Sequence, residues 1–206
     1  QIGEELLELA KNKYDNFIDL LKDIKEKTSI NSKQLTNLTA LNYFEDFGAN
    51  DYLLKVIDIY DKFATAKIIA KNKMESLGIS EYLMSKYSAK ETKSQYRELD
   101  NNGLIKELCS KLENKSLSIT EQIKFEIEYL GYAVYTNPNI ADYYYIVTEF
   151  SQYSDASRPY FTLYNLKTGE SIKTKIRQGK VYKDKNNFMF INNILETEKI
   201  IYNGDI

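Results

Sequence analysis

The spacing of apolar residues along this chain changes once, from the three-to-four-residue period of a helix to the two-residue period of a strand. Up to about residue 131 the period is helical, as in the run from Leu6 to Ile24. From about residue 142, β-branched and aromatic residues alternate with polar ones, as in "YYYIVTEF" and "PYFTLYNL". We therefore predict an α+β fold: an all-helical part at 1–131, a linker at 132–141, and a small antiparallel OB-like β-barrel at 142–206.

Capping signals divide the helical part. A Ser or Asn three residues before Glu or Gln has the spacing of a capping box and predicts a helix start. This spacing occurs in "NSKQ" (31–34), "SAKE" (88–91) and "SITE" (118–121). We also expect one continuous helix over 4–27, a helix capped by Asn50, a short helix capped by Ser80, and a helix end at Gly131.

The composition excludes most catalytic chemistry. The chain has no histidine and one cysteine, Cys109, whose apolar helical neighbours favour a buried structural thiol over a nucleophile. The carboxylates of Asp15, Asp19 and Asp23 recur every four residues beside lysines, a pattern typical of a solvated helix face. We predict no catalytic residue, no metal site and no cofactor.

Charge and hydropathy restrict the partners. The 28 Lys and Arg residues against 30 Asp and Glu residues give a net charge of −2, so any attraction to nucleic acid must be local. No segment approaches the ~20 consecutive apolar residues of a membrane span. We expect a cytoplasmic protein without a membrane partner.

Basic residues concentrate near the end of the chain. Residues 167–185 contain seven Lys or Arg and two Asp or Glu, a local balance of +5. The two-residue period places Lys173, Lys175 and Arg177 on one face of a predicted strand, and such a row suits a phosphate backbone. The neighbouring run supplies Arg158 and aromatic rings on which bases of a single strand can stack.

The predicted single-strand surface comprises Arg158, Tyr160, Lys173, Lys175, Arg177 and Lys180. An alternative is that lysines keep the sheet soluble and block edge pairing while the aromatic rings fill the barrel.

A compact turn separates two predicted helices in "LTALNYFEDFGANDYLLKVI", residues 38–57. In a helix-hairpin-helix, backbone N–H groups of such a turn and the next helix N-terminus hold a phosphate of duplex DNA. We expect Asn42 to adopt the left-handed conformation that glycine would otherwise supply. The predicted hairpin contacts are Asn42, Tyr43, Phe44, Gly48 and Asn50. The alternative is an ordinary corner between helices.

Two segments resemble the alpha subunit of bacterial DNA polymerase III, downstream of its catalytic palm. Residues 14–51 are similar to the family's helix-hairpin-helix, where a Gly-Ala-Phe-Asp turn is followed by Gly and Asn. The matching positions are Asn42, Tyr43, Phe44, Glu45, Gly48 and Asn50. The segment "FEIEYLGYAVYTNP" is similar to a family helix followed by a His-Pro pair, here Asn137 and Pro138. The substituted landmarks indicate a divergent copy, such as one from a phage or mobile element.

The resemblance also covers the order of parts, since an OB-fold follows in that family. It implies a non-catalytic fragment of a DNA-directed DNA polymerase that acts in DNA replication. The hairpin would hold duplex backbone, the OB-fold would hold single-stranded template, and replisome subunits would be further partners. No part of the chain matches the palm, so we expect no polymerisation. A protein-interaction module with an OB-like barrel is the alternative, and a stand-alone enzyme would have to show turnover.

Overall fold

The computed structural model describes residues 2–141, 144–151 and 160–175. Its contacts divide the chain into unit 1, Gln1–Leu117, and unit 2, Ser118–Ile206. Both units combine helical structure with a three-stranded antiparallel sheet. The predicted α+β class is therefore confirmed.

Unit 1 is mainly helical, with a small sheet inserted between α4 and α7. Its helices are α1 (Ile2–Leu9), α2 (Phe17–Lys27), α3 (Ser32–Ala40), α4 (Asn50–Phe63), α5 (Lys71–Ser76), α6 (Glu81–Lys86) and α7 (Asn101–Ser110). A 3₁₀ turn, Glu45–Phe47, lies between α3 and α4. The strands are β1 (Ile68–Ala70), β2 (Ser88–Glu91) and β3 (Gln95–Leu99), in the spatial order β1-β3-β2.

The core of unit 1 forms where the apolar stripes of its helices meet. Leu21 and Ile24 of α2, Leu35 of α3, Leu53 of α4 and Leu104 of α7 are almost completely buried in one cluster. These positions follow the helical period of the sequence. Packing of amphipathic faces, rather than helix propensity, supplies most of the stability of such short helices.

An ion pair with an additional hydroxyl contact fastens α6 to α7. Lys86 Nζ donates to Glu107 Oε2 at 2.6 Å, and Tyr87 Oη donates to the same oxygen at 2.5 Å. The hydrogen bond from Lys86, followed by that from Tyr87, lowers the pKa of the Glu107 carboxyl to about 2.

The prediction that residues 1–131 are all helical is wrong, because β1, β2 and β3 lie within that range. The Ser-x-x-Glu spacing at 88–91 opens a strand and not a helix. Tyr96 of β3, 1% exposed, pairs with Ile69 of β1 in the sheet. Burying an aromatic ring contributes about 1.5–3 kcal/mol, which exceeds the ~1 kcal/mol of a helix cap.

The single helix predicted over 4–27 is also wrong, since α1 ends at Leu9 and α2 begins at Phe17. Asn16 caps α2, its side chain accepting a hydrogen bond from the Asp19 N–H at 3.0 Å. The apolar spacing continues across the break because Leu9 and Phe17 enter the same core. The period alone therefore conceals the break.

Most of the predicted caps are confirmed. Asn31 and Ser118 form reciprocal capping boxes, Ser80 accepts a hydrogen bond from the Leu83 N–H at 3.3 Å, and Gly131 ends its helix at φ +84°. Asn50 is not a cap. Ala49 occupies that position, and Asn50 is the first residue of α4.

Unit 2 places one helix beside an open sheet. It contains α8 (Ile119–Leu130), β4 (Tyr145–Ser151), β5 (Tyr160–Asn165) and β6 (Ser171–Lys175), and the sheet order is β4-β5-β6. Ile123 of α8 packs with Ile146 of β4 and Tyr164 of β5. These described strands do not close into a barrel, and the remaining predicted barrel strands, at 176–206, lie outside the described residues.

A buried carboxylate connects α8 to the segment that follows it. Glu126, 5% exposed, accepts hydrogen bonds from the backbone N–H groups of Val134 at 2.6 Å and Tyr135 at 2.8 Å. Gln122 donates to its other oxygen at 3.0 Å. The predicted linker at 132–141 is thus bonded to α8 and belongs to unit 2.

Across the part of the chain that the structure describes, no helix is long and apolar enough to cross a bilayer.

Candidate nucleic-acid interface

The β5–β6 hairpin fixes which predicted binding residues face one another. Its turn contains Gly169 at φ +76°, and the Gly169 N–H donates to the Asn165 carbonyl at 2.9 Å. With this turn, the register sets Tyr160 opposite Lys175 and Thr162 opposite Lys173. The turn therefore determines the face of the sheet on which the basic residues lie.

Residues that face one another in antiparallel strands share a face of the sheet. Tyr160, Lys173 and Lys175 consequently lie on one face, while Ile172 and Leu163 lie on the other. Lys173 is exposed. For Tyr160 and Lys175 the structure describes the backbone, and the other predicted contacts of this surface, Arg158, Arg177 and Lys180, fall outside the described residues.

This face is open at one end and covered at the other. Near the open end, Thr162 Oγ1 donates to Oε2 of the exposed Glu149 at 2.9 Å. Towards the turn, Tyr164 is buried in the cluster with Ile123 of α8, and its hydroxyl donates to the Tyr135 carbonyl at 2.9 Å. The half of the face that carries Lys173 is therefore accessible, and the exposed Glu149 places an opposing charge there.

The predicted α3–α4 hairpin contains the expected left-handed residue. Asn42 has φ +63° and is exposed. Tyr43 follows it with 59% of its surface exposed, and its N–H donates to the Leu38 carbonyl at 3.0 Å. Gly48 precedes α4 at φ +146°. The turn thus has the backbone conformation that the sequence predicted at Asn42.

The N–H groups at the start of α4 are already bonded within unit 1. The Ala49 N–H donates to Asn114 Oδ1 at 2.9 Å, and the Tyr52 N–H donates to the Lys115 carbonyl at 3.2 Å. The Asp51 N–H donates to Asn50 Oδ1 at 2.9 Å. Phosphate binding by these amides would require the segment containing Asn114 to move away.

Two of the five predicted hairpin contacts are buried, which is a correction to their assignment as DNA contacts. Phe44, 5% exposed, packs against Phe17 with ring centroids 5.5 Å apart. Asn50, 2% exposed, donates to the Ala40 carbonyl at 3.1 Å and accepts from the Leu117 N–H at 2.8 Å. Both side chains fix the turn from inside and have no surface to offer a ligand.

Two kinds of reactive site can be checked among the described residues, a metal site and an activated thiol. No group of three or more His, Cys, Asp or Glu side chains within that part of the chain could hold a metal ion. Burial raises the pKa of the Cys109 thiol to about 11, which keeps it protonated at neutral pH. A thiol in that state is a poor nucleophile.

Sequence reasoning missed two side chains that hold segments in place: Glu126 holds the segment after α8, and Asn114 holds the start of α4. Glu126 lies three residues after Ile123 on the buried stripe of α8, and an acidic residue on such a stripe indicates a buried partner. Asn114 lies in the polar segment after α7, and no local signal relates it to Ala49, 65 residues away.

Comparison of the chain with protein-family models, with curated proteins and with solved structures yields no significant match.

Proposed function

We propose that this chain is a non-catalytic, DNA-binding portion of a protein related to the alpha subunit of bacterial DNA polymerase III. In this proposal the β5–β6 face of unit 2, extended into an OB-like fold, binds single-stranded template. The observation that best supports it is the register of β5 and β6, which brings Tyr160 opposite Lys175 and Lys173 opposite Thr162. An aromatic residue beside a row of cations is a combination found in proteins that bind single-stranded nucleic acid.

The physical argument for this function is electrostatic and local. Each phosphate neutralised by a lysine or arginine releases condensed counterions, so a short basic row can bind DNA although the chain carries a net charge of −2. Stacking on an aromatic ring adds a contribution that does not depend on base identity. We therefore expect binding with little sequence preference.

Duplex binding by the α3–α4 hairpin stays a prediction, now restricted to the exposed residues Asn42 and Tyr43. The amides at the start of α4 are bonded to Asn114 and Lys115, which argues against a phosphate there. We therefore expect duplex DNA to bind this chain more weakly than a single strand.

The proposal is tested by fluorescence anisotropy with a labelled single-stranded oligonucleotide at several salt concentrations. Replacing Lys173, Lys175 and Arg177 with Gln should reduce the magnitude of the salt slope by about two units, at ~0.7 for each lost phosphate contact. Tyr160→Ala should weaken binding by about 1–3 kcal/mol with little change in slope, because stacking releases few counterions.

A matched control removes three exposed lysines from unit 1, Lys90, Lys93 and Lys106, and should leave the slope unchanged. Equal affinity and equal slope for the parent and the triple Gln variant of β6 would refute the proposal. Affinity of the chain for a protein partner that is insensitive to salt, without measurable DNA binding, would favour the interaction-module alternative.

A further inference from the structure

A cleft of about 370 Å³ opens in unit 1 where the loop before α2 meets the 3₁₀ turn before α4. Its volume lies within the range of ligand-binding pockets, about 300–1,000 Å³. The walls are aromatic and acidic, and they include Tyr14, Asp15, Phe17, Asp46, Phe47 and Tyr52. None of the described residues that line the cleft is basic.

The two carboxylates of the cleft lack a side-chain partner within the part of the chain that the structure describes. Asp15 and Asp46 are exposed, and neither has an ion pair or a side-chain hydrogen bond among the described residues. Elsewhere in unit 1, by contrast, several exposed carboxylates are paired, such as Asp58 with Lys62. The cleft therefore has two negative charges that no described side chain pairs with.

The aromatic walls are held in place by contacts within unit 1. The Tyr14 hydroxyl donates to Asp23 Oδ2 at 2.8 Å, and the rings of Phe17 and Phe47 lie 6.0 Å apart. The Tyr52 ring lies against Gly48, where an added Cβ would approach Tyr52 Cδ1 to 2.9 Å. The rings are thus fixed before any ligand arrives.

We propose that this cleft binds the side chain of an arginine from an extended segment of a partner protein. The faces of aromatic rings attract cations, and a planar guanidinium can stack on a ring while it donates to carboxylates. Arginine fits better than lysine, because lysine presents a compact, strongly hydrated charge that does not stack. This inference concerns unit 1 and is independent of DNA binding by unit 2.

A partial positive charge also lies at the cleft. The cleft includes the start of α2, and a helix N-terminus carries roughly +0.5 of an elementary charge. Asp15 and Asp46 together contribute −2, which exceeds that partial positive charge. The charge of the cleft therefore favours a cation.

The experiment is an NMR titration of the ¹⁵N-labelled full chain with a blocked Gly-Arg-Gly peptide. A Gly-citrulline-Gly peptide, which has the same shape without the charge, is the comparison ligand. We expect saturable shifts of the amides at 14–18 and 46–52 with the arginine peptide, and no saturable shifts with citrulline. The affinity should fall as salt is added, because the charges are partly exposed.

Substitutions identify the groups responsible. Asp15→Asn together with Asp46→Asn should weaken binding about two- to thirtyfold, as expected for two partly exposed ionic contacts. Tyr52→Leu should weaken it about two- to fivefold through the lost cation–π contact, while Tyr52→Phe should not. Glu75→Gln with Glu98→Gln removes the same charge from exposed positions that do not line the cleft, and should leave the affinity unchanged.

Three results would overturn the proposal: equal shifts with the arginine and citrulline peptides, unchanged affinity in the Asp15 and Asp46 double variant, or shifts mapped elsewhere on the chain. Saturable shifts with Mg²⁺ but not with the arginine peptide would make the cleft a metal site. A dispersed amide spectrum of each variant establishes that the fold is intact.

Discussion

Replacing Asn50 with alanine should destabilise unit 1 far more than an ordinary substitution at the start of a helix. The Asn50 side chain joins three separate parts of the unit. Its amide nitrogen donates to the Ala40 carbonyl at the end of α3, and its oxygen accepts from the Leu117 N–H, 67 residues away. Because Asn50 is 2% exposed, water has little access to replace these bonds.

The expected loss follows from the groups left without partners. Two long-range hydrogen bonds contribute about 1 kcal/mol each, and an unpaired buried donor or acceptor costs about 1–3 kcal/mol. Allowing for partial entry of water, the free energy of unfolding should fall by about 2–4 kcal/mol, a large fraction of the ~5–15 kcal/mol of a typical domain. Asn72→Ala, at an exposed position of α5, should change it by less than about 0.5 kcal/mol.

Urea unfolding followed by circular dichroism at 222 nm is the appropriate assay. Seven of the eight α-helices in the described part of the chain belong to unit 1, so this signal reports mainly on that unit. Asn50→Asp is a second variant: it keeps the acceptor for Leu117 and loses the donor to Ala40. The difference in the free energy of unfolding between Asn50→Asp and the parent should decrease as the pH falls, because a protonated carboxyl can again donate a hydrogen bond. If the free energy of unfolding of Asn50→Ala is within about 0.5 kcal/mol of the parent value, the hydrogen bonds of Asn50 to Ala40 and Leu117 do not stabilise unit 1 as argued.

Gly48→Ala should lower the free energy of unfolding by more than about 1 kcal/mol in the same assay, because φ is +146° and the new Cβ would lie 2.9 Å from Tyr52 Cδ1; an unchanged midpoint would contradict this. Glu126→Ala should accelerate hydrogen exchange of the Val134 amide at least roughly tenfold, measured by NMR, and equal protection would show that the carboxylate is dispensable. The folded pKa of Glu107, about 2, lies below its ordinary value of 4.5, so its stabilising contribution is present above that value and lost as the pH falls towards 2. Parent and Glu107→Gln should therefore differ in urea midpoint at pH 7 and converge near pH 2, and a difference that persists in acid would exclude this linkage.

Local rules predicted the elements whose signals are local. The capping boxes at Asn31 and Ser118 and the glycine end of α8 depend on residues within one turn, and all three are present. The β5–β6 hairpin likewise follows from alternation and the turn at Gly169. For these elements, neighbouring residues in the sequence were sufficient to predict the structure.

The failures share a physical cause, which is burial decided by distant partners. The segment at 88–99 contains a helix-start signal. It nevertheless forms strands, because Tyr96 pairs with Ile69 in the sheet and is buried there. Asn50 has the residue type of a cap, and its bonds to Ala40 and Leu117 instead place it one residue inside the helix. No window of neighbouring residues contains this information.

Some features of the candidate sites were likewise predictable from local sequence, and others depend on distant residues. The shared face of Lys173 and Lys175 was predictable, because alternation along a strand determines it. The burial of Phe44 was not, since it depends on Phe17 across the core. The cleft beside Tyr52 was also beyond sequence reasoning, because it forms from two loops that are about 30 residues apart in sequence.

The hydrogen bonds of Glu126 determine where this protein can be cut. A fragment that begins at 132 would lack α8, exposing Ile146 and Tyr164 and depriving the Val134 and Tyr135 amides of their acceptor. Aggregation during expression is the expected fate of such a piece, since newly exposed apolar surface promotes association. A fragment that begins at Ser118 retains the helix, its capping box and the carboxylate. If the two units are expressed as separate fragments, the boundary should therefore lie between Leu117 and Ser118, before α8.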